Sequence, residues 1–350
     1  MGGSNMSVYE VTKKELLKKQ YAWLVTGVGG FIGSNILEEL LKLNQKVIGL
    51  DNFSTGNQTN IDEALKDANY DLSTDLFTFI EGDVSNAELC LSVTEGVDFV
   101  LHQAALGSVP RSIKDPIASS ESNVTGFLNI LFASKESKVR QLVYASSSSV
   151  YGSNEDLPKQ EDKIGEVLSP YALTKSINEQ FAEVFAKTYN FQSIGLRYFN
   201  VFGKRQNILG PYAAVIPKWI TSLLENQKVE IYGDGLTGRD FCYVKNVVQA
   251  NLLAAMTTNE SAKRQVYNVA LNDTTTLDNL FSMIKEILSH LKQENIQINA
   301  EYKDFRPGDI KSSQADISKI EHYLGYKPAY KIKSGLQETI EWYLDKYKKK

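Results

Sequence analysis

Residues 23–33 read WLVTGVGGFIG, an apolar run that breaks into glycines and resumes as an amphipathic pattern. This order predicts a strand, a tight turn and a helix. Gly27 allows a sharp turn, Gly30 lets the backbone approach a phosphate, and Gly33 lets the helix lie close to the strand. The helix start then offers free N–H groups and the positive end of its dipole to a pyrophosphate.

A second apolar run, residues 46–51, ends in Asp51 about twenty residues further on. An acid at this place in a dinucleotide-binding fold accepts hydrogen bonds from both adenosine ribose hydroxyls. Its charge would repel a 2′-phosphate, so we expect NAD rather than NADP. A tight turn after any buried strand can give the same glycine spacing. Asp51 is the residue that favours a nucleotide-binding site over such a turn. The polar turn at residues 52–56 is expected to wrap the adenosine.

Further apolar runs alternate with helical patterns, and we predict strands at residues 76–80, 97–102, 141–145 and 192–197. Because right-handed crossovers place helices on both faces of a parallel sheet, the fold expected is a doubly wound α/β fold of Rossmann type. After Phe202 the pattern loosens into short helices and isolated strands, such as residues 228–231 and 241–244. We therefore assign residues 20–200 to an NAD-binding domain with later returns of the chain. Residues 201–350 form a smaller, interleaved substrate lobe.

Composition excludes several other classes of protein. The 350 residues carry a net charge of −4, without the basic tract that nucleic acid requires. Two cysteines are too few for a disulfide framework, and the three histidines show no metal-ligand spacing. No apolar stretch reaches the roughly eighteen residues that span a bilayer. We expect a cytoplasmic protein without a metal, with a cloning remnant at residues 1–5 and an amphipathic helix at residues 7–19.

Small or polar residues follow the predicted third and fourth strands. Asp83 could accept from the adenine amino group or cap the helix that starts near Asn86, and the two roles are compatible. Residues 103–108 carry small side chains, which leave space where ligands bind at the carboxyl ends of parallel strands. His102 is expected to be a core residue without a chemical role.

Tyr171 and Lys175 fall at positions i and i+4 of a helix that Ser169 can cap and Pro170 can begin. A tyrosine with a pKa near 10 is a poor base at neutral pH. A neighbouring ammonium, together with the positive nicotinamide of an oxidised cofactor, can lower that pKa. An isolated pair of this kind is usually an ordinary amphipathic helix. Here it follows a nucleotide turn, an acid suited to NAD and a serine-rich strand end at residues 146–149.

At this point the chain resembles the extended short-chain dehydrogenase/reductase family, and within it the UDP-hexose 4-epimerases. The resemblance runs from Trp23 to the C-terminal helix and includes residues 102–105, 196–203, 238–244 and 305–309. Residues 106–112 and 212–217 are similar to the subgroup that acts on UDP-N-acetylglucosamine and its uronic acid.

The resemblance implies NAD as the cofactor. The residues expected to hold it are Gly27, Gly30, Phe31, Ile32, Gly33, Asp51, Asn52, Phe53, Ser54, Thr55, Gly56, Asp83, Val84, Gln103, Ala104, Ala105, Asn123, Tyr171, Lys175 and Tyr198.

The resemblance also implies a catalytic set. Tyr171 takes the proton from the 4-hydroxyl of the sugar, while Ser147 hydrogen-bonds the same oxygen. Lys175 holds the cofactor ribose and keeps Tyr171 acidic. The 4-hydride passes to NAD, the keto sugar turns over about its link to the pyrophosphate, and the hydride returns to the other face.

The substrate residues expected from the resemblance are Gly107, Ser108, Ser147, Ser148, Tyr171, Asn200, Ala214, Val215, Tyr232, Arg239, Arg306, Asp309 and Ser313. An arginine can contact a phosphate through two N–H groups, so the arginines suit a diphosphate. Ser313 stands where relatives that exclude N-acetyl groups have a tyrosine, and its small side chain leaves room for an acetamido group. Arg111 could meet a uronate carboxylate or form a structural ion pair.

The expected activity is NAD-dependent, reversible 4-epimerisation of UDP-N-acetylglucosamine to UDP-N-acetylgalactosamine. One alternative is the same reaction on the corresponding uronic acid. Another is a nucleotide-sugar 4,6-dehydratase, but that class carries an Asp-Glu pair where this chain has Ser147-Ser148-Ser149. A regulator without activity would be expected to lose the serine, tyrosine or lysine. A homodimer is expected through the helices that start at Asn123 and Tyr171. The second helix carries an apolar stripe of Ile177, Phe181, Val184 and Phe185.

Overall fold

The computed structural model describes residues 6–207, 214–305 and 312–348. Its strands are β1 (Ala22–Thr26), β2 (Lys46–Asp51), β3 (Phe77–Glu81), β4 (Phe99–His102), β5 (Gln141–Ser147), β6 (Ser193–Tyr198), β7 (Val201–Phe202), β8 (Val229–Tyr232), β9 (Gly238–Arg239), β10 (Cys242–Tyr243), β11 (Val266–Val269), β12 (Thr275–Thr276), β13 (Ala300–Lys303) and β14 (Ser312–Ser313).

Its α-helices are α1 (Val8–Lys18), α2 (Phe31–Lys42), α3 (Gln58–Asp67), α4 (Ala87–Thr94), α5 (Val109–Lys114), α6 (Pro116–Ser120), α7 (Gly126–Glu136), α8 (Pro170–Tyr189), α9 (Val215–Leu224), α10 (Val244–Met256), α11 (Leu277–Lys292), α12 (Ser318–Leu324) and α13 (Ile332–Tyr347). A π-helical turn, Glu121–Thr125, joins α6 to α7, and a 3-10 turn, Ser148–Tyr151, follows β5. None of the helices described is both long and apolar enough to cross a membrane.

Seven of the strands form one parallel sheet in the order β11-β6-β5-β4-β1-β2-β3. The chain reverses its direction of progress through the sheet between β1 and β4. In open α/β sheets, ligands bind outside the carboxyl ends of the strands at this switch point. The doubly wound fold expected from the sequence is therefore confirmed, and the fold places a cleft beside the glycine turn.

Helices cover both faces of the sheet because alternate residues of each strand point to opposite sides. Trp23 and Val25 of β1 belong to the core under α2, α3 and α10, while Leu24 belongs to the core under α4, α7 and α8. The α1 helix contacts α10 on the outside of the first layer. Its Ser7 cap and the Glu10 side chain form a reciprocal capping box.

A second hydrophobic core lies among α9, β8, α11 and α13. Trp219 and Ile220 of α9 pack in it with Leu280 of α11 and Ile340 of α13. Between β8 and α11 the chain returns to the main sheet as β11, which pairs with β6 along Gly195–Tyr198. The two cores are thus linked by chain segments that cross between them.

Two local predictions were wrong. Asp83 does not cap α4. Asn86 does so through a hydrogen bond from the Leu89 N–H of 3.1 Å, because it is the residue directly before the first helical turn. Asp83 instead accepts from the N–H of Ser85 at 2.8 Å. The strand predicted at residues 241–244 is reduced to Cys242–Tyr243, since Val244 already begins α10.

Candidate active site

The glycine turn between β1 and α2 is a close contact between backbone segments. Gly27 has φ of 71° and donates its N–H to the Leu50 carbonyl at 2.8 Å. A Cβ at position 33 would lie 2.1 Å from the Gly27 carbonyl oxygen, so only glycine allows α2 to start this close to β1. Since Gly30 flanks the helix without any side chain, the first N–H groups of α2 face open space. This cradle fits a pyrophosphate.

Asp51 ends β2 beside this turn. Its carboxylate accepts from the N–H of Gly29 and from the N–H of Phe53, both at 2.8 Å. Burial raises the pKa of Asp51, and these N–H groups act in the opposite direction. The two hydrogen bonds fix the carboxylate at the rim of the cleft, where the sequence predicted a partner for the adenosine ribose.

The glycine turn, Asp51 and the start of α8 enclose a cavity of about 290 Å³, named here the glycine cleft. Most of the predicted cofactor residues line it, namely Gly27, Gly30, Phe31, Ile32, Gly33, Asp51, Asn52, Ser54, Thr55, Val84, Gln103, Ala104, Ala105, Tyr171, Lys175 and Tyr198. Gly107 from the predicted substrate set also lines it. Leu50, Gly82, Ser122, Ala145 and Ser146 line it as well and were not predicted; each is next to or close to a predicted residue along the chain.

Four predicted cofactor residues lie behind this lining. Phe53 stacks on Phe79 with ring centroids 5.1 Å apart, and Gly56 packs against the backbone of Gly29. Asp83 accepts from the Asn52 amide at 2.6 Å. These contacts place three of the four in support of residues that line the glycine cleft.

Asn123 is the fourth, and it is buried. Its side chain accepts from the Leu106 N–H at 2.7 Å and donates to the Leu106 carbonyl at 3.1 Å. It also donates to the Thr174 hydroxyl on α8 at 3.2 Å. Asn123 therefore ties the loop after β4 to the helix that carries Tyr171 and Lys175.

The start of α8 forms as the sequence predicts. The Ser169 hydroxyl accepts from the Ala172 N–H at 3.1 Å, and Pro170 is the first helical residue. Tyr171 and Lys175 both point into the glycine cleft, one helical turn apart.

The Tyr171 hydroxyl interacts with the Ser147 hydroxyl at the end of β5. Burial raises the pKa of Tyr171 above its ordinary value, and the hydrogen bond with Ser147 works in the opposite direction. The acidification expected from Lys175 is not found in the chain alone, since the ammonium lies 6.0 Å from the Tyr171 ring centroid. Ser147 also accepts from the Ser149 N–H at 3.1 Å, which orients its hydroxyl.

Lys175 is buried, and its ammonium donates to the Ala145 carbonyl at 2.8 Å. Burial lowers the pKa of Lys175 to about 8, while the Glu179 carboxylate raises it. His102, on β4, is also buried, with a pKa lowered to about 3 by burial and by Lys175. Its Nδ1 lies 2.8 Å from the Thr26 hydroxyl, so the expectation of a core histidine is confirmed.

Three amide and hydroxyl groups close a ring of hydrogen bonds at the inner end of the cleft. Tyr198 donates to Gln103 at 2.8 Å, Gln103 donates to Asn251 at 3.0 Å, and Asn251 donates to Tyr198 at 2.9 Å. Asn251 lies on α10, far along the chain, and no local pattern in the sequence indicated it.

A second cavity of about 180 Å³ lies between α9, β8 and β9, and we name it the tryptophan cleft after Trp219. Four predicted substrate residues line it, namely Asn200, Val215, Tyr232 and Arg239. The other residues that line it, which the sequence did not indicate, are Lys218, Trp219, Glu230, Thr237, Phe241 and Leu277. Tyr198 of the glycine cleft lies two residues before Asn200, so one short segment borders both clefts.

Ser313 lies beside the tryptophan cleft on β14, opposite Arg239 of β9. Its hydroxyl accepts from the Asn200 amide at 3.1 Å. Asp240 organises the same region, because its carboxylate accepts from the N–H groups of Leu271 and Ala315 at 2.9 and 3.2 Å. Burial raises the pKa of Asp240 to about 6.

The remaining predicted substrate residues are placed as follows. Ser108 has φ of 95° and caps α5 by accepting from the Arg111 N–H at 3.3 Å. Ser148 begins the turn after β5, and Ala214 precedes α9. Arg306 and Asp309 lie outside the described residues.

The site therefore offers a cradle for a dinucleotide and a tyrosine, serine and lysine at one end of it. Within residues 6–207, 214–305 and 312–348, no three His, Cys, Asp or Glu side chains cluster as a metal site would require.

Comparison with known proteins agrees with this geometry. The model of the NAD dependent epimerase/dehydratase family matches residues 23–270. A putative UDP-glucose 4-epimerase of Methanocaldococcus jannaschii is 35% identical, over 91% of this chain and 97% of the relative. A UDP-glucuronate 4-epimerase of Thermodesulfobacterium geofontis is 32% identical, over 91% and 95%.

A solved structure adds a similar finding. The UDP-N-acetylglucosamine 4-epimerase of Methanobrevibacter ruminantium M1, in complex with UDP-N-acetylmuramic acid, is 37% identical to this chain. It superposes with a TM-score of 0.84, covering 94% of this chain and 99% of that one.

Proposed function

Because the chain belongs to the NAD-dependent epimerase/dehydratase family and its relatives include UDP-sugar 4-epimerases, we propose that it interconverts UDP-N-acetylglucosamine and UDP-N-acetylgalactosamine. NAD is the cofactor of this family, and the glycine cleft fits it. The chemistry that NAD supplies when bound is the reversible uptake of a hydride from the sugar. The finer assignment, to N-acetylated sugars, rests on the arguments that follow.

The observation that carries the proposal is the hydrogen bond between Ser147 and Tyr171, the second of which lines the glycine cleft. Tyr171 is the general base that takes the 4-hydroxyl proton and later returns it. The Ser147 hydroxyl stabilises the developing phenolate, since its hydrogen bond lowers the pKa of Tyr171. Lys175 adds a positive charge one helical turn away.

The tryptophan cleft is assigned to the uridine diphosphate. Arg239 can contact a phosphate there, while Trp219 and Phe241 give apolar surface that suits a base. Asn200 borders this cleft, and Tyr198, two residues before it, lines the glycine cleft together with Tyr171. In this proposal, a sugar held by its diphosphate therefore reaches toward Tyr171. A tethered sugar can expose either face to the same cofactor without leaving the protein.

The substrate assignment is supported by Ser313. Its side chain is small and lies against Asn200, which borders the tryptophan cleft. A bulky residue at this place would fill the volume that an acetamido group needs. The structural neighbour described as a UDP-N-acetylglucosamine 4-epimerase supports the same assignment.

A UDP-N-acetylhexosaminuronic acid is the second candidate substrate. The Thermodesulfobacterium relative is a UDP-glucuronate 4-epimerase. Arg111 lies on α5, three residues after Ser108 and close to Gly107, which lines the glycine cleft. A dehydratase is disfavoured because Ser148 and Ser149 occupy the places where elimination of water needs acids.

The test is a product assay on the purified protein without added cofactor. UDP-N-acetylglucosamine, its uronic acid and UDP-glucose are incubated separately and the sugars are followed by NMR. The result expected is UDP-N-acetylgalactosamine as the product with the fastest turnover. Faster turnover of the uronic acid would select the second candidate, a 4-keto-6-deoxy sugar would indicate a dehydratase, and no turnover would indicate a protein without this activity.

We also propose a homodimer formed through α6, α7 and α8, where α8 contacts both other helices. Large apolar side chains remain exposed on them, including Ile117 at 79%, Val184 at 52% and Leu173 at 46%. Phe185, predicted as part of the interface stripe, is buried in the core instead. Sedimentation should show a dimer at micromolar concentration that Ile117→Glu converts to a monomer, and a monomeric wild type would remove the proposal.

A further inference from the structure

We propose that Glu179 is a positioning residue that keeps the Lys175 ammonium charged and fixes the end of β5 that carries Ser147. The inference rests on the proposed function in that Lys175 and Ser147 act there on Tyr171. Glu179 does not line the glycine cleft; it acts through its neighbours.

The first observation is the spacing on α8. Tyr171, Lys175 and Glu179 follow one another at intervals of four residues, so they lie along one face of the helix. Lys175 is buried and would lose its proton at a lower pH in a purely apolar setting. The charge that opposes this loss is the Glu179 carboxylate.

The second observation is a contact with β5. The Ser146 hydroxyl donates to the Glu179 carboxylate at 2.6 Å. Ser146 lines the glycine cleft and precedes Ser147, while Ala145 before it accepts from Lys175 at 2.8 Å. Glu179 and Lys175 thus hold two adjacent residues of the strand end, Ser146 and Ala145.

The third observation is a buried counter-charge. Arg197 of β6 contacts both oxygens of Glu179, with Nε at 2.9 Å and Nη2 at 2.8 Å. The Arg197 side chain is 3% exposed, and its third nitrogen donates to the Glu161 carbonyl. A carboxylate held by two N–H groups in one plane has a fixed orientation. It therefore stays directed at β5.

Other charged or titratable groups also face this pair. His102 of β4 is neutral beside Lys175, since its pKa lies near 3. The Glu179 charge acts to raise the pKa of Lys319 of α12 and of Tyr144 of β5. Glu183 also acts to raise the pKa of Tyr144, whereas Arg197 acts to lower it. Among these groups, Glu179 is the one whose charge supports protonation of Lys175.

The consequence is that Glu179 acts through its charge and its fixed position, and no proton passes through it. Burial favours the neutral form of Lys175, and the Glu179 carboxylate favours its cationic form, the form that supports proton loss from Tyr171. Without that carboxylate, Lys175 becomes neutral at lower pH, and the cation that favours the phenolate is lost. Removing Glu179 should therefore lower the upper pH limit of activity and leave substrate binding largely unchanged.

The test is a titration of Lys175 in the holoenzyme, with lysine labelled by ¹³C at the ε carbon. The Lys175 signal is the one that Lys175→Arg removes. We expect Glu179→Gln to lower the titration midpoint of Lys175 by about one pH unit. The matched control is Glu183→Gln, one turn further along α8, where the carboxylate pairs with Arg264 at the surface and should leave the midpoint unchanged.

The kinetic readout distinguishes this role from a merely structural one. In Glu179→Gln, the alkaline limb of kcat against pH should move to lower pH by the same amount, with KM changed less than about threefold. Glu179→Asp should restore most of the wild-type profile. A general loss of structure would lower kcat at every pH without moving the limb.

Breaking a buried ion pair can unfold a protein, so a second variant replaces both partners. Glu179→Gln with Arg197→Met removes both charges and should still lower the Lys175 midpoint. The inference is overturned if Lys175 titrates within about 0.3 unit of wild type in whichever of these variants is folded. A wild type that epimerises no UDP-sugar, with the midpoint still lowered in the variant, would overturn the proposed function and leave the role of Glu179 standing.

Discussion

The glycine cleft and the tryptophan cleft are built differently. The glycine cleft lies at the ends of paired strands of the main sheet, where a Cβ at Gly33 would overlap the Gly27 carbonyl. The tryptophan cleft lies beside the two-residue strand β9, and large side chains such as Trp219 and Phe241 line it. The first arrangement requires particular backbone geometry, whereas the second can change with single side chains.

This difference teaches where each property of the protein resides. We expect cofactor binding and proton transfer to depend on elements that cannot move without disturbing the main sheet. We expect substrate choice to depend on residues such as Ser313, which lies outside that sheet. Changes in the glycine cleft should therefore affect every substrate alike, and changes beside the tryptophan cleft should affect one substrate more than another.

The largest effect is expected from Gly33→Ala. A Cβ there would overlap the Gly27 carbonyl, so we expect a loss of roughly 4 kcal/mol of stability and purification without bound NAD. The nucleotide released on denaturation and the urea midpoint measure both effects. The control is Gly107→Ala, also in the glycine cleft, where an added Cβ meets nothing within 4 Å. Equal NAD content in the two variants would contradict the close-contact argument.

The next effect is expected from Tyr171→Phe. Loss of the general base should lower kcat by about 10³-fold on all UDP-sugars that the wild type accepts, while NAD stays bound. Tyr9→Phe is the control, because that hydroxyl only contacts Glu39 at 3.2 Å on the outer layer. A loss confined to one sugar would mean that Tyr171 selects the substrate rather than transfers the proton.

The supporting side chains of the two clefts should respond to pH with opposite signs. His102, with its pKa near 3, is neutral in the folded protein where the unfolded chain would be protonated. Its contribution is present above about pH 6.5 and is lost as the pH falls toward 3. Asp240, with its pKa near 6, holds its proton more tightly when folded. Its contribution is complete below about pH 4 and is lost as the pH rises through 6.

Urea midpoints between pH 4 and 6.5 test this pair. Relative to wild type, His102→Gln should lose less stability on acidification, by a difference of the order of 3 kcal/mol across the range. Asp240→Asn should remove the loss of stability that the titration of Asp240 causes as the pH rises toward 6.5. Parallel curves for the wild type and both variants would show that neither group titrates as its burial requires.

The smallest effect is expected from Ser313→Tyr. The larger side chain should lower kcat/KM on UDP-N-acetylglucosamine by roughly 10- to 100-fold and leave UDP-glucose within about threefold. Ser313→Ala is the control and should keep the wild-type preference. Equal losses on both sugars would show that this position does not face the acetamido group.

The parts of the site predicted from sequence are those that local spacing determines. Gly27 and Gly33 follow from the demands of one tight turn, and Tyr171 with Lys175 follows from the helical period. Asp51 follows from its place at the end of a strand. Each of these depends on residues within a few positions along the chain, so one sequence suffices to predict them.

The parts that were missed depend on distant contacts. Asn251 completes the hydrogen-bond ring with Gln103 across 148 residues, and nothing near it in the chain marks this role. Asn123 supports the loop at Leu106 rather than lining the cleft. Glu179 could have been found, because it extends the spacing of Tyr171 and Lys175 by four more residues. The contact with Arg197, which fixes the Glu179 carboxylate, is the part that the spacing alone does not predict.

The strand β11, at one edge of the parallel sheet, has a consequence for biosynthesis. It is made of residues 266–269, and it pairs with β6 only after α9, β8 and α10 have been synthesised. A nascent chain therefore cannot complete the edge next to Tyr198 until about four fifths of its length has left the ribosome. Until then the β6 edge stays open to strand addition from other chains, so chaperones that shield strand edges should bind it most strongly in that interval.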